Sequence, residues 1–432
     1  MKVPGTIGYP IIGDKSREFL SDPTKFITSR INEHSSRIFQ CRILNNPTIF
    51  VCSPQAVKTL LSEEMANDIE HGYKSILHRL YGDNIVFEND VTANELHNCL
   101  KNCFQNMELY KETVNRLCEP LLSSLHLRTE PVYIYPEFKR VMTRMCLELF
   151  LGIKTESCLD QTEEITHLAT QHWHGIISVP VSLKIPLAGE STYSLAVQAK
   201  EKLLSIIRSI LLGQNGQGDA SVAAKLRHAD FSNSKSLEQH LLLFVSAVIP
   251  KAFASLITSF IIVMAGDDKE ALRARARTDS KFLDRVLLEV ERMWPPLFAG
   301  RRLVRRTTTL ESYDLPKDYA IMYVTHAAHR DPEVFPEPNS FNPDRWITCN
   351  AGQEDLVLCF GSGPRCCVGT DLIRRILRDV ASRLLQNYEW SLAPPSQDTS
   401  YKYLPVARPA VQPSIAFSSY LTNDEPFFDA CG

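Results

Sequence analysis

The sequence predicts a mainly α-helical fold with a small β region, and three observations carry that prediction. Between about residues 54 and 292, apolar residues recur at three- and four-residue spacing, the period of a helix face. Short β-rich runs lie outside this body, at 37–44 and 48–52 and again at 301–308 and 319–323. Proline- and glycine-rich stretches punctuate the ends, at 4–13 and 331–344.

Taken in order, about residues 1–65 read as a small sheet following the turn residues Pro4, Gly5, Gly8, Pro10 and Gly13. A helical body covers about 66–294, with its clearest amphipathic stretches at 141–151, 195–212 and 280–293. Residues 213–236 turn rich in Gly, Ser, Asn and Asp and read as a surface connection. Residues 241–266 are mostly apolar and as a helix would reach roughly 39 Å, enough to cross a bilayer. Pro250 and Lys251 near its centre make a buried core helix the better reading, because a central charge is costly in lipid. About 295–432 then combines strands, an irregular Pro-rich stretch, a last helix at about 370–387 and a strand-bearing tail. The whole of 1–432 is read as a single domain.

A formal charge of −3 excludes a dedicated nucleic-acid binder, which needs excess Lys and Arg to neutralise phosphates. Hydrophobic content of 44% with 22% charged residues is that of a globular protein that binds small molecules. The twelve cysteines are scattered rather than evenly spaced, so most are expected to be reduced apolar fillers. The N-terminus has no apolar stretch long enough for a signal peptide or anchor, which points to a cytoplasmic or peripheral membrane-associated chain.

The chemistry concentrates in Phe360-Gly-Ser-Gly363-Pro-Arg365-Cys-Cys367-Val-Gly369, a glycine-rich loop delivering a cysteine just before a helix. Unpaired N–H groups at the helix N-terminus and the nearby Arg365 would both favour thiolate, the form that ligates metals. The glycines would let backbone approach a flat cofactor. A packing cysteine at a capped helix is the plainer alternative.

This loop resembles the haem-binding loop of the cytochrome P-450 family, Phe-x-x-Gly-x-Arg-x-Cys-x-Gly. Every fixed position is met, and the register selects Cys367 over Cys366 as the metal ligand. The resemblance implies a triangular helical prism around a buried haem b. It extends to Glu289-Val-Glu-Arg292, similar to the family's Glu-x-x-Arg helix motif, and to Phe341-Asn-Pro-Asp-Arg345-Trp346, similar to its meander. The family implies that Arg345 joins Glu289 and Arg292 in a buried structural triad. Val3-Pro-Gly5 through Gly13 resembles the hinge that precedes the family's catalytic domain, so an endoplasmic-reticulum anchor could lie before this chain. For the haem propionates the candidates are His97 and Lys101, one turn apart, and Arg302, with a solvated surface role open for each.

The resemblance breaks in the long apolar helix. Where most members carry an acid and a threonine that relay protons during oxygen activation, this chain reads Phe244-Val-Ser246-Ala247-Val248-Ile249-Pro250. Pro250 is expected to kink the helix by removing the hydrogen bond to Ser246, which would keep the groove above the iron. Ser246 or Ser255 is the nearest substitute alcohol, although buried hydroxyls usually back-bond to the i−4 carbonyl.

Three functions follow. The first is a monooxygenase that takes electrons from a reductase or ferredoxin and hydroxylates or epoxidises a lipophilic fatty acid, sterol or terpenoid-like molecule. The second is a donor-independent hydroperoxide isomerase or lyase, which needs no relay. The third is a catalytically degenerate haem- or ligand-binding protein. A monomer is expected, with substrate contacts near residues 297–300; Arg365, Arg374, Arg375 and Arg378 form either a basic patch for an acidic redox partner or, interrupted by Asp371 and Asp379, a solvated helix face.

Overall fold

A computed structural model describes residues 1–84, 87, 91–105, 108–176, 178, 184–185, 189–213, 221–228, 234–245 and 248–420. The helix Ser280–Met293 shows how the sequence pattern becomes structure. Asp279 caps it by accepting from the Lys281 and Phe282 N–H groups at 2.9 and 3.1 Å. Phe282, Leu283, Val286, Leu287 and Val290 then fall on one face and are buried. The helix stops before Pro295, whose ring disfavours helical backbone in the residue ahead of it. The helix Thr370–Asn387 buries Leu372, Ile376, Leu377, Val380, Ala381, Leu384 and Leu385 by the same logic.

The apolar stretch forms the helices Ser234–Val245 and Val248–Val263. The second packs against Ile134–Cys146 on one side and Thr370–Asn387 on another, with Phe253, Leu256, Ile257, Phe260 and Ile261 buried. It is a core helix, as its central charge suggested. Pro250 lies at the start of the described part of Val248–Val263, and the expected kink, which depends on Ser246, falls outside the described residues. Ser246 and Ala247 lie outside the described residues.

The five-stranded sheet has the order Ile38–Ile43, Asn46–Val51, Ala320–Tyr323, Gly300–Val304, Ile69–His71. The expected N-terminal sheet is therefore completed by strands from 300–323. Three helices, Ser16–Ser21, Pro23–His34 and Pro54–Leu60, also occupy the part read as β-rich. The expected strand at 301–308 ends at Val304, and Thr308–Leu310 pairs separately with Tyr313–Leu315. The expected surface connection at 213–236 contains the helix Val222–His228. Ser221 caps it by accepting from Ala224 N–H at 3.1 Å, and Val222, Ala223 and Leu226 are fully buried. Burial of that short apolar run outweighed its polar surroundings.

Candidate active site

The glycine-rich loop is held against the sheet side of the fold by close backbone approach. Gly363, at φ +68°, sits where a Cβ would stand 2.0 Å from the Leu61 carbonyl oxygen, so only glycine fits. The Cys367 N–H donates to the Phe360 carbonyl at 2.9 Å, and the Thr370 hydroxyl donates to the Cys367 carbonyl at 2.7 Å, fixing the turn that enters Thr370–Asn387. His97, from the helix Val91–Gln105, clamps the same loop with its Nε2 donating to the Cys366 carbonyl at 3.0 Å.

Cys367 opens onto a cavity of about 390 Å³. One wall is Ile249, Ala252, Phe253 and Leu256 of the long helix, with Leu243 and Phe244 from the preceding one. The opposite wall is Pro296, Leu297, Ala299 and Gly300, which places the expected substrate stretch on the cavity. Phe360, Gly361, Arg365, Cys366 and Val368 form its floor around Cys367.

The helix terminus and Arg365 were expected to favour thiolate. Enclosure by protein instead pushes the Cys367 thiol up, against opposing pulls from the Gly369 N–H and the Thr370 hydroxyl, and neighbouring Cys366 adds to the rise. Burial of a charge without a counter-ion outweighs partial dipoles at this site. Metal coordination at Cys367 would favour the thiolate against that rise.

The basic lining residues are the second clue. His71, Arg302, Arg365 and His97 all line the cavity, and no carboxylate does so among the described residues. Burial, then the charges of Arg302 and Arg365, push His71 down to about 3. Arg302 also lies over the Tyr323 ring at 5.2 Å and donates to the Arg301 carbonyl at 3.0 Å. An apolar slot with an open sulfur on its floor and the guanidinium groups of Arg302 and Arg365 along its lining fits haem, a flat apolar macrocycle with two acid groups and a metal at its centre.

Lys101 is exposed and lines a neighbouring groove that also takes in His97, Cys366, Cys367 and Asp371. His97 lines both spaces, but its Nε2 is already engaged with the cysteine loop. His71 takes the inward position that sequence reasoning missed. A lone histidine at the end of a three-residue strand has no periodic signal, and only pairing opposite Arg302 in the sheet brings it to the cavity.

Glu289, Arg292 and Arg345 come together as the motifs suggested. Arg292 donates to both Glu289 carboxylate oxygens at 2.9 and 2.8 Å, and Arg345 Nε donates to the same group at 3.0 Å. Arg292 also donates to the His329 and Pro338 carbonyls, so the meander is tied to the helix that carries Glu289. Removing the carboxylate leaves two guanidinium groups buried without a counter-charge. Glu289→Ala is expected to lower stability by about 3–5 kcal/mol, read from urea midpoints. Asp284→Ala, which breaks an exposed pair with Arg378, should cost under about 1 kcal/mol. Equal losses would show that burial does not set the strength of the network.

The expected basic docking patch is mostly neutralised. Arg374 makes a paired contact with buried Glu291 through Nε at 2.9 Å and Nη2 at 2.6 Å, and Arg378 meets Asp284 at 2.6 Å. Arg365 faces the cavity.

The fold and the cavity at Cys367 together fit a protein that holds haem. The family model described as Cytochrome P450 matches residues 262–415. Beta-amyrin 11-oxidase of Glycyrrhiza uralensis is 24% identical, covering 94% of this chain and 88% of its own length. A putative cytochrome P450 120 of Synechocystis sp. is likewise 24% identical, over 94% of each chain. The solved structure of retinoic acid bound cyanobacterial CYP120A1 shares the fold at a TM-score of 0.84 with 22% identity, covering 97% of this chain and 99% of that one. Residues 262–415 thus match the cytochrome P450 family model, and nearly the whole chain is similar to haem-dependent monooxygenases of that family.

Proposed function

We propose that the protein oxygenates a lipophilic small molecule, of the fatty acid, sterol or terpenoid kind, using dioxygen and electrons from a reductase or ferredoxin. The observation that carries this reading is the apolar space directly above Cys367, walled by Ile249, Ala252, Phe253 and Leu256. A pocket of that character holds an apolar substrate by burial and orients it with few polar contacts. Two similar proteins support the substrate class by name, one an oxidase of beta-amyrin and one a protein solved with retinoic acid.

In this reading Cys367 ligates the iron of haem b, with Phe360, Gly363, Arg365 and Gly369 shaping its seat and Arg302, His71 and Arg365 facing its acid groups. The chain acts as one catalytic domain and as a monomer. Haem held there supplies the activation of dioxygen and its transfer to carbon. The chain's own part is to bind the substrate, exclude water and control protons. Among the described residues, those of the long helix that line the cavity carry neither acid nor hydroxyl. Ser255 and Thr258 are buried with no hydrogen-bond partner, and neither lines the cavity, so Ser255 does not replace the missing relay. The hydroxyls among the described lining residues belong to Tyr73, Tyr323, Thr325 and Ser362.

That apolar wall specifically favours a second reading, a donor-independent rearrangement of a substrate hydroperoxide. One experiment separates the two. Haem-loaded protein is given a surrogate reductase, NADPH and a panel of lipophilic substrates, and product oxygen is traced with isotopic dioxygen. The expected result is NADPH-dependent product carrying one labelled atom. Turnover of a fatty-acid hydroperoxide without a donor, and none with dioxygen, would replace the first reading with the second.

A further inference from the structure

Away from the haem cavity, three cations gather where the long helix meets two other elements. Val248–Val263 packs against Ile134–Cys146 and against the strand Arg408–Pro409, and Lys251, Lys139 and Arg408 stand on these three elements. Burial, then the charges of Lys139 and Arg408, push the Lys251 amine down to about 7. None of the three side chains lines the haem cavity.

No acid balances this charge among the described residues. Glu137, two residues from Lys139, is taken by Arg128 at 3.5 Å and by Arg140. Arg408 donates to the Leu404 and Val406 carbonyls at 3.5 and 3.2 Å and meets no carboxylate. Lys251 rests its amine over the Trp173 ring at 4.1 Å, a contact that holds one cation but gives no reason to gather three. Other partly buried cations are matched, Arg37 by Asp331 and Arg273 by Glu389, both at 2.9 Å. Across the hairpin Lys402 stands in register opposite Arg408, and like charges directly opposite weaken a strand pair. Like charges held together oppose folding, and an anion between them removes that opposition.

The donors indicate the class of anion. Lys139 and Lys251 each offer an ammonium and Arg408 a planar guanidinium fork. Tyr135, one turn before Lys139 and near enough to Arg408 to feel its charge, adds a hydroxyl. All four residues are half-buried, so their groups border solvent. A carboxylate would balance one of the three cations, whereas a phosphate-type anion brings about two charges and several acceptor oxygens to share among them. We propose that Lys139, Lys251 and Arg408, with the Tyr135 hydroxyl, form a site outside the haem cavity for a small, multiply charged anion of the phosphate class.

The full chain, haem-loaded, is titrated by calorimetry with inorganic pyrophosphate and then with sodium acetate, at fixed ionic strength. The expected result is saturable binding of pyrophosphate, a thermal midpoint that rises with its concentration, and acetate binding about tenfold or more weaker. Lys139→Gln with Arg408→Gln should weaken pyrophosphate binding about tenfold or more, and so should Lys251→Met, which keeps an apolar chain on Trp173. Both variants relieve repulsion, so their thermal midpoints without pyrophosphate should not fall, which separates lost binding from lost folding. Lys281→Gln with Lys317→Gln removes two exposed cations that are not among the charges acting on Lys251, and should bind as the wild type does. A wild type that binds no pyrophosphate overturns the proposal. So does equal affinity for acetate, and so does a loss in the Lys281 and Lys317 variant as large as in the Lys139 and Arg408 variant, which would assign binding to diffuse surface charge.

Discussion

Haem-loaded Cys367→Ala protein is expected to lose thiolate ligation completely, seen as loss of the thiolate signature in its absorption spectrum, while Cys366→Ala keeps it. The two cysteines are adjacent in sequence but differ in what their side chains meet. The Cys366 thiol turns into the loop, 3.6 Å from the Phe360 carbonyl and 3.8 Å from the Thr370 hydroxyl. Cys367 opens on the cavity and lies against Gly369, where an added Cβ would be 3.9 Å from its sulfur. Cys359 also borders the cavity, but burial holds its thiol well above the ordinary range, with a further push from Glu291. Because the loop backbone is fixed by the Cys367–Phe360 and His97–Cys366 contacts, the neighbouring sulfur cannot swing into the vacated position without breaking both. A thiolate spectrum that survives at Cys367→Ala and vanishes at Cys366→Ala would reverse the register of the loop.

The parts of this protein that were legible in its sequence are those whose physics is local. The helix Ser280–Met293 announces itself by period and by its Asp279 cap, and the cysteine loop by glycines at fixed offsets. What escaped was made by distant pairing. His71 reaches the cavity because Ile69–His71 pairs with Gly300–Val304, more than two hundred residues away. The neutralisation of Arg374 and Arg378 comes from Glu291 and Asp284 on another helix, which a charge pattern along one helix cannot reveal. Val222–His228 was hidden because a short buried run is too brief for periodicity to register. The raised Cys367 thiol belongs to the same kind: a dipole can be read from sequence order, whereas the enclosure that opposes it exists only once the fold has closed.

Enclosure also governs the second large effect, a loss of stability on mild acidification. His172, His240, His326 and His329 are all buried. Burial, first among the causes for each, pushes His172 and His240 down to about 4 and His329 to about 3, and takes His326 well below its ordinary value. For His329 the hydrogen bonds require the neutral ring: Leu358 N–H donates to its Nε2 at 2.7 Å while its Nδ1 donates to the Arg292 carbonyl at 2.9 Å. A second ring proton would meet the Leu358 donor head on. His326 is wedged between Phe298 and Tyr403, with ring centroids at 5.1 and 4.3 Å, and gains nothing there from a charge. Above pH 6.5 both folded and unfolded chains hold these rings neutral, and the four make no difference to stability. Below it the unfolded chain takes up protons that the folded chain refuses, so stability falls as the pH drops from about 6.5 toward 4. Each histidine contributes about 1.4 kcal/mol per pH unit once fully engaged, and four give roughly 5 kcal/mol per unit. Against a typical reserve of about 5–15 kcal/mol, the protein is expected to unfold near pH 5. Urea midpoints measured from pH 7.5 to 5 check this, and His329→Asn should flatten the slope by about one proton even while lowering stability at neutral pH. A stability that stays level across that range would show that the four rings are protonated within the fold.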